Sequence, residues 1–460
     1  MDVTAIILAA GEGTRMKSKH AKVAHKILGK PMISWVIDAA LAAECNRIVV
    51  VVGSHADEVR SIIHSSYATA PVETVEQVER LGTGHAVRIA LDAIGSPAGS
   101  VVVLNGDLPL IQPATIADLA NSVSSGTLAG AVLTMTPPDP FGYGRILLNA
   151  QGEIERIVEQ KDCTPEEAAV REANAGCYAF DGAALTAHIK KIGCDNAQKE
   201  YYLPDMVEIL QAAGLSVGIS RCGDYQDGLG VNSRAQLAEV SAIARDRINT
   251  RLMAEGVTFI DPSQAWISPD AQVGKDTIIW PQTHVIGQVI IGENCQIGPN
   301  TRLTNTQVGS NCIVDETICI DVMLDDDVTC GPRAYLRPGT HMQRGSKAGT
   351  HVEIKQSTIG EGSKVPHLSY IGNTTMGSDV NVGAGSITCN YDGARKHSTI
   401  IGDGVFIGSD TMMVAPVTIG DHAITGAASC ITKDVPEEAL ALERSPQRVI
   451  EGYAKKRQAR

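Results

Sequence analysis

The chain has 460 residues, with 39 Lys and Arg against 52 Asp and Glu, a formal net charge of −13. That balance excludes a nucleic-acid binder relying on a global basic field, and a hydrophobic share of 43% excludes a disordered chain. At roughly 100–200 residues per domain, the length allows two to four domains, each able to bury a core. Phe, Trp and Tyr make up only 4% while Gly numbers 45, which points to cores of small and aliphatic side chains joined by tight turns, as in repeat architectures. The 11 cysteines are scattered, with no Cys-x-x-Cys pair, and read as free thiols in a reducing cytoplasm without a metal signature. Residues 1–10 lack the basic-then-apolar pattern of a signal peptide. No apolar stretch approaches the ~20 residues of a membrane span.

The first half alternates strand and helix patterns. Residues 5–10 predict a buried strand, residues 31–43 an amphipathic helix with Pro31 at its start, and residues 47–52 a second buried strand. A helix is predicted to open with Ser54 as its N-cap, a third strand covers residues 100–104, and Pro113 opens another helix. Continuous apolar strands between helices imply a parallel sheet covered on both faces, lasting to about Gly230. Residues 233–255 have helical spacing, charged faces and no internal Gly or Pro, and predict a long connecting helix. The predicted domains are therefore 1–230, a linker helix at 231–255, and 256–460.

From Ile267 the period changes. Ile267, Val273, Ile279, Val285, Ile291, Ile297 and Leu303 lie six apart. The pattern restarts at Val308, Val314 and Ile320, returns at Ile359, Val365 and Ile371, and runs again at Ile401, Ile407, Met413, Ile419, Thr425 and Ile431. A period of six fits neither a helix face nor an alternating strand. It fits a parallel β-helix, in which each short strand sends one aliphatic residue inward before the chain turns. Hexads in threes predict a three-sided prism. The segments 321–358 and 384–400 break the period and are predicted as loops outside the coil, where function tends to sit.

The strongest local signal in the first half is Leu8-Ala9-Ala10-Gly11-Glu12-Gly13-Thr14-Arg15-Met16, with Lys22 downstream. A buried strand runs into a Gly-rich loop whose Gly11 and Gly13 let backbone amides approach an anion, while Arg15 and Lys22 could neutralise phosphate oxygens. It is neither a Walker A loop nor the dinucleotide fingerprint. A structural turn accounts for a bare Gly-x-Gly; the added Thr-Arg and Lys favour phosphate. Asn105-Gly106-Asp107 follows a buried strand, at the end where open α/β sheets bind ligands. Asp107 there reads either as a turn residue or as an oxygen ligand for Mg²⁺. Gln77 and the small-residue loop at 81–85 (LGTGH) could read a nucleobase edge.

These segments resemble the sugar-1-phosphate nucleotidyltransferases. Joined to the hexad half, the chain is similar from Ala5 to about Arg444 to the bacterial bifunctional N-acetylglucosamine-1-phosphate uridyltransferase/glucosamine-1-phosphate acetyltransferase family. The most specific segments are LAAGEGTRM at 8–16, GYGRI at 142–146, VEQKD at 158–162 and GVNSR at 230–234, then LRPGT at 336–340, NVGAGSITCNYDG at 381–393 and FIGSD at 406–410. The resemblance implies an α/β Rossmann-like nucleotidyltransferase domain followed by a left-handed parallel β-helix of hexapeptide repeats. It implies that Leu8, Ala9, Ala10, Gly11, Gln77, Gly82 and Thr83 hold a uridine nucleotide, and that Arg15 and Lys22 act on its phosphates. Gly144, Glu159, Asn174 and Asn232 would line a sugar site beside Asn105 and Gly106, with Asp107 and Asn232 on Mg²⁺. Asn105 stands where the family has Tyr, keeping a polar side chain but losing an aromatic face. In the implied reaction the phosphate of N-acetylglucosamine-1-phosphate attacks the α-phosphorus of UTP and pyrophosphate leaves. A phosphate monoester is already a nucleophile, so catalysis rests on positioning and charge neutralisation.

The breaks in the hexad pattern collect Arg337, Lys355, His367, Tyr370, Asn381, Asn390, Tyr391 and Lys396. A coil has polar corners in any case, but three cations beside one His favour a site. By the resemblance, His367 is the general base that takes a proton from the 2-amino group of glucosamine-1-phosphate, since the amine must be neutral to attack a thioester. Arg337 and Lys355 would hold the sugar phosphate, with Tyr370, Asn381 and Lys396 also on the sugar. Ala384, Asn390, Tyr391, Ser409, Ala427 and Arg444 would contact acetyl-CoA. The resemblance also implies a homotrimer that takes only small molecules, with no nucleic acid and no membrane insertion. The basic tail at 447–460 is predicted to be solvated and flexible. Two other readings are a monofunctional nucleotidyltransferase with a regulatory or oligomerising coil, like ADP-glucose pyrophosphorylase, and a non-catalytic interaction protein. His367, Tyr370 and the NYDG segment argue against the first. The intact loop with Arg15, Lys22 and Asp107 argues against the second.

Overall fold

Every residue of strand β1 (Val3–Ala9) except Leu8 is buried, as a strand covered on both sides requires. The computed structural model describes residues 2–196 and 198–458, in two compact units, Met1–Ala244 and Arg245–Arg460. In the first unit β1 joins β2 (Arg47–Val52), β3 (Val72–Glu76), β4 (Ser100–Asn105), β5 (Gly130–Met135), β6 (Arg145–Leu148), β7 (Ile154–Val158), β8 (Ala173–Asp181) and β9 (Val217–Arg221) in one nine-stranded sheet. The order is β9-β5-β8-β4-β1-β2-β3, with β6 and β7 branching from β8. Side chains alternate between the faces. Ala5, Ile7 and Ala9 pack with Ile33, Ile37, Val59, Ile63, Ile116 and Leu119 from α1 (Met32–Ala42), α2 (Ala56–Tyr67) and α4 (Pro113–Ser124). Ile6 packs on the other face with Val87, Leu91, Leu185 and Leu210 from α3 (Thr83–Ile94), α5 (Gly182–His188) and α6 (Met206–Ala212).

Two local expectations are corrected. The sheet is mixed, because β8 runs antiparallel to both β4 and β5. Only a four-residue helix, Pro165–Ala168, lies between β5 and β8, too short for the crossover that parallel neighbours need. Ser54 is not an N-cap: α2 begins at Ala56, and the capping position is His55 in a left-handed turn, φ 61°, without a side-chain cap. The connecting helix α7 spans Arg234–Ala254.

The second unit is a left-handed β-helix whose strands form three parallel sheets of 11, 10 and 9 strands, each coil giving one strand to each sheet. Most strands bury one or two side chains. In the first sheet the ladder runs Ile279, Ile297, Val314, Cys330, Ala348, Val365, Val382 and Ile407. Seven of the predicted core positions fall in one coil series, of which only Val273 is half-buried. Corner residues adopt left-handed backbone, and their amides stack: Asn294 donates to Asn311 (2.9 Å), and Asn311 to Asp327 (3.1 Å).

The segment 321–358 is not a loop. Leu324, Cys330, Leu336, Met342, Ala348 and Ile354 lie six apart and are all buried, in unbroken strands. Cys and Ala fill the core there, and the frame has slipped by one, so that Cys319 points inward while Ile320 is half-buried. Of 384–400, only residues 390–398 leave the coil, since Thr388 occupies a core position at 0% exposure. The tail carries a short exposed helix, Tyr453–Gln458, where a flexible segment is predicted; Ala459 and Arg460 lie outside the described residues. Among the described residues, no helix is long and apolar enough to cross a membrane.

Candidate functional site

β1 delivers the Gly-rich loop to a cavity of about 950 Å³ at the carboxyl end of the parallel strands. Leu8, Ala9, Ala10, Gly11, Lys22, Gln77, Gly82, Thr83, Asn105, Asp107 and Asn232 all line it. A Cβ placed on Gly11 would meet no protein atom within 4 Å, so the loop's backbone is bare toward the cavity. Gly82 has φ 105°, and a Cβ there would fall 2.7 Å from the carbonyl oxygen of Tyr201. The Gln77 amide nitrogen donates to Gly82 O (3.1 Å) and contacts His85 Nδ1 (3.0 Å), which fixes the loop before α3. Burial and then the neighbouring Arg88 hold the His85 ring below its ordinary pKa, favouring the neutral ring.

Sequence reasoning passed over part of this wall. Glu200 lines the cavity because Tyr201 pairs with Leu81 and Gly84 through backbone bonds of 2.7 and 2.8 Å. Arg80 also lines it, tied to Glu12 at 2.8 Å. Neither had a local signal beyond being polar near a glycine loop.

At the base of the cavity Lys22 Nζ lies between two oxygens. It forms a short contact to Asp107 Oδ2 and donates to Asn232 Oδ1 at 3.1 Å. The two charged side chains are 16% and 13% exposed. Residues 85 and 210 positions apart thus converge on one cation. Gly106 is buried behind this point, its N–H donating to Leu8 O (2.9 Å). Arg15 is not brought in: it is exposed on the single turn Thr14–Met16 and does not line the cavity.

Gly144, Glu159 and Asn174 form a neighbouring cluster outside the cavity lining. Asn174 N donates to Gly144 O (2.9 Å), and a Cβ on Gly144 would fall 3.5 Å from Glu159 Oε1. Asn174 is held by Tyr178 OH (2.7 Å) and by Gly176 N (2.9 Å). Burial, then Asp162 and Asp205, push the Glu159 carboxyl above its ordinary pKa. Burial, then Glu208, push Asp205 up to about 6. Asn105 joins cavity and cluster, because a Cβ on Gly176 would lie 2.5 Å from its amide nitrogen.

In the β-helix, register assembles what sequence scatters. The strand pairs Lys364↔Asn381, Val382↔Ile407 and Ile407↔Thr425 place His367, Ala384, Ser409 and Ala427 at one corner, two residues past each inward side chain. Backbone bonds link that column: Asp410 N to Ala384 O (2.7 Å), and Ala428 N to Ser409 O (2.8 Å). Rungs of a sheet lie about 4.8 Å apart, so the column extends roughly 14 Å from His367. Arg444 reaches its end, donating to Ala427 O (3.1 Å). Asn381 faces outward on the first sheet, one rung from Lys364.

The next face carries the cations. Leu336 pairs with Ile354, so Arg337 and Lys355 follow on adjacent rungs, with Tyr335, Glu353 and Tyr370 in register beside them. Arg337 donates to Glu353 at 2.6 Å. Lys355 is held below its ordinary pKa, first by direct contact with the Lys396 amine, then by burial and by repulsion from Lys396 and Arg337. Asn390 donates to Asn373 (2.7 Å) and reaches Tyr370 OH (3.5 Å), while Tyr391 is 60% exposed.

Among the described residues no three His, Cys, Asp or Glu side chains gather around a metal position. The pair Asp107 and Asn232 nonetheless presents two hard oxygen donors to one cation, the donor set suited to Mg²⁺.

The MobA-like NTP transferase domain family matches residues 5–162, and the bacterial transferase hexapeptide family, of six repeats, matches residues 270–305 and 398–433. A protein of Heliobacterium modesticaldum named "Bifunctional protein GlmU" is 47% identical over 452 residues, 98% of this chain and 97% of its own. Proteins of the same name from Trichlorobacter lovleyi and Shouchella clausii are 44% identical (96% of both chains) and 43% identical (98% of both chains).

Proposed function

The chain belongs to the bifunctional GlmU family, and from that membership and the two sites we infer how it performs two transfers. It is a glucosamine-1-phosphate N-acetyltransferase and an N-acetylglucosamine-1-phosphate uridyltransferase, acting on small molecules and yielding UDP-N-acetylglucosamine for cell-envelope polymers. Acetyl transfer belongs to residues 256–460, uridylyl transfer to 1–230, and 231–255 is the linker.

In the coil, His367 takes a proton from the 2-amino group of glucosamine-1-phosphate as the nitrogen attacks the acetyl thioester of acetyl-CoA. A C–N bond forms, the C–S bond breaks, and the coenzyme leaves as its thiol. Arg337, Lys355 and Lys396 hold the phosphate; Tyr370 and Asn381 hold the sugar. The column Ala384, Ser409, Ala427, closed by Arg444 and flanked by Asn390 and Tyr391, seats the elongated coenzyme. That column, beginning at a His and continuing in small side chains, is the observation that carries this reading.

In the α/β unit, the bare backbone of Leu8–Gly11 and the loop at Gln77, Gly82 and Thr83 hold UTP. Gly144, Glu159, Asn174 and Asn105 hold N-acetylglucosamine-1-phosphate. Lys22 turns from Asp107 toward the phosphates, joined by Arg15 once the loop closes on substrate. Asp107 and Asn232 would hold Mg²⁺, which when bound supplies charge neutralisation to the triphosphate. Three flat sheets, one with Phe406, Ile424 and Leu440 exposed in register, suit side-by-side packing of copies into a homotrimer. Eleven free thiols suit a reducing cytoplasm.

The test follows free thiol and pyrophosphate separately in wild type, His367→Ala and Asp107→Ala. His367→Ala should lose thiol release by about 10²–10⁴-fold and keep pyrophosphate formation. Asp107→Ala should show the converse. Wild type that makes pyrophosphate but releases no thiol would refute the acetyltransferase assignment.

A further inference from the structure

The excursion at 390–398 is a small hairpin with a carboxylate at its centre. Tyr391 and Lys396 form an antiparallel bridge, and His397 N donates to Asn390 O at 2.8 Å. Inside it, Asp392 Oδ1 accepts from Ala394 N (2.8 Å) and Arg395 N (2.6 Å), while Oδ2 pairs with His397 Nε2 (2.7 Å). Gly393, at φ 97°, makes the tip. This hairpin is the one departure of residues 384–400 from the coil, and nothing apolar drives it: residues 391–396 are all exposed.

Its product is a third cation, Lys396, carried on the hairpin strand that pairs with Tyr391. The hairpin is rooted beside Lys355: Asn390 donates to Asn373 Oδ1 (2.7 Å), Asn373 N donates to Lys355 O (3.0 Å), and Lys355 lies one rung from Arg337. Cationic groups gathered on one face repel, and a flexible exposed lysine would ordinarily swing away. Something must hold the segment that carries it, and the polar bonds that organise that segment converge on Asp392. We propose that Asp392 is a positioning residue for acetyl transfer: by folding residues 391–397 around its carboxylate it presents Lys396 to Lys355 and Arg337, and so completes a three-cation seat for the phosphate of the acetyl acceptor. The proposal rests on the assignment of this face to glucosamine-1-phosphate.

The energetic logic is preorganisation. A cation placed before the anion arrives costs repulsion in the free protein, and recovers it as a charge-assisted bond without ordering a loop at the moment of binding. Asp392 touches no substrate in this account; it acts only through where Lys396 stands. His397 donates the third bond to the same carboxylate and shares the task to a smaller degree.

The test is a double-mutant cycle on the full chain with Asp392→Asn, Lys396→Ala and both together, measuring thiol release against glucosamine-1-phosphate and acetyl-CoA. Asp392→Asn keeps size and one acceptor but loses the charge. Its KM for glucosamine-1-phosphate should rise about tenfold, with kcat and the KM for acetyl-CoA changed less than about threefold. The double variant should be no worse than Lys396→Ala alone, because the two act as one unit. Pyrophosphate formation by the same preparations should equal wild type, showing that the chain is folded. If Lys396→Ala raises that KM but Asp392→Asn leaves it unchanged, or adds fully to Lys396→Ala, the positioning role is wrong and the acceptor site stands. If Lys396→Ala itself leaves the KM unchanged, Lys396 is not part of the seat and the proposal falls with that assignment. A general loosening would move both KM values and kcat together, which also overturns it. Asp392→Ala, which removes every acceptor, must exceed Asp392→Asn in the same parameter alone.

Discussion

Lys22 stands where two oxygen ligands converge, so replacing it with Met should have opposite effects on the metal-free and metal-loaded protein. In the free chain Asp107 is 13% exposed and Lys22 is its charge partner. Removing one partner of a buried pair costs about 3–5 kcal/mol, and the remaining exposure lowers that to roughly 2–3 kcal/mol. For a unit of this size each kcal/mol shifts Tm by about 2–4 °C, so Lys22→Met in chelator should melt about 4–12 °C below wild type. A divalent cation repairs the same defect. At one hundred times its Kd a ligand that binds only the folded state adds about 2.7 kcal/mol; wild type, whose amine must first be displaced, gains less, so the gap narrows. The amine also competes with the ion for Asp107 and Asn232, so the variant should bind Mn²⁺ more tightly than wild type in the absence of nucleotide. Calorimetry in chelator and in excess Mg²⁺, with Mn²⁺ titration followed by electron paramagnetic resonance, reads both effects. Equal melting deficits with and without metal, or unchanged Mn²⁺ affinity, would refute the idea that the ammonium occupies the cation's place.

Gly82→Ala forces a Cβ to 2.7 Å from the Tyr201 carbonyl at φ 105°, so the KM for UTP should rise at least about tenfold while acetyl transfer is untouched, as separate pyrophosphate and thiol assays would show. Asp205 titrates at about 6 in the folded chain against an ordinary 3.8, so the folded form binds the proton more tightly, and its contribution to stability is lost as pH rises from about 4 to 6. Asp205→Asn should therefore match wild type below pH about 4 and exceed it above pH about 6, by roughly 1 kcal/mol after allowance for its partial exposure, in a series of melting curves against pH. Ile297 is fully buried in a coil far along the axis from His367; Ile297→Ala should cost about 2–5 kcal/mol of coil stability with thiol release at 25 °C unchanged, which thermal unfolding and the thiol assay test together.

The α/β half was legible where a strand buried on both faces leaves an unbroken apolar run. Arg47–Val52 falls where expected, and the Gly-rich loop and Asp107 do line one cavity. What sequence missed there is non-local. Nothing near Glu200 announces that Tyr201 will pair with Leu81, and nothing near Thr14 says that Arg15 will point to solvent. The antiparallel β8 follows from the missing crossover helix, a negative feature that an element-by-element reading does not register. In the coil, counting aliphatic residues, with Thr425 the one exception, hid the rungs filled by Cys330, Ala348 and Thr388, all at 0% exposure. A core one residue wide accepts small side chains, because its neighbours above and below are fixed by the ladder rather than by side-chain volume.

The same ladder explains why the proposed acetyl-transfer site looked like a scatter of polar residues. His367, Ala384, Ser409 and Ala427 are separated by 17, 25 and 18 residues, and no single period relates them. The middle interval is one coil plus the excursion at 390–398, which leaves and rejoins the prism at the same corner, between Thr388 in the second sheet and Thr399 in the third. With that hairpin set aside, the four residues share one position of the repeat. A solenoid thus turns sequence distance into height along an axis at a fixed rise, so a ligand several rungs long is met by one residue from each coil. An excursion adds chemistry without disturbing that measure only if it closes on itself. The bond from His397 N to Asn390 O and the carboxylate of Asp392 do so, which is why Ser409 still stands above Ala384 after the interruption.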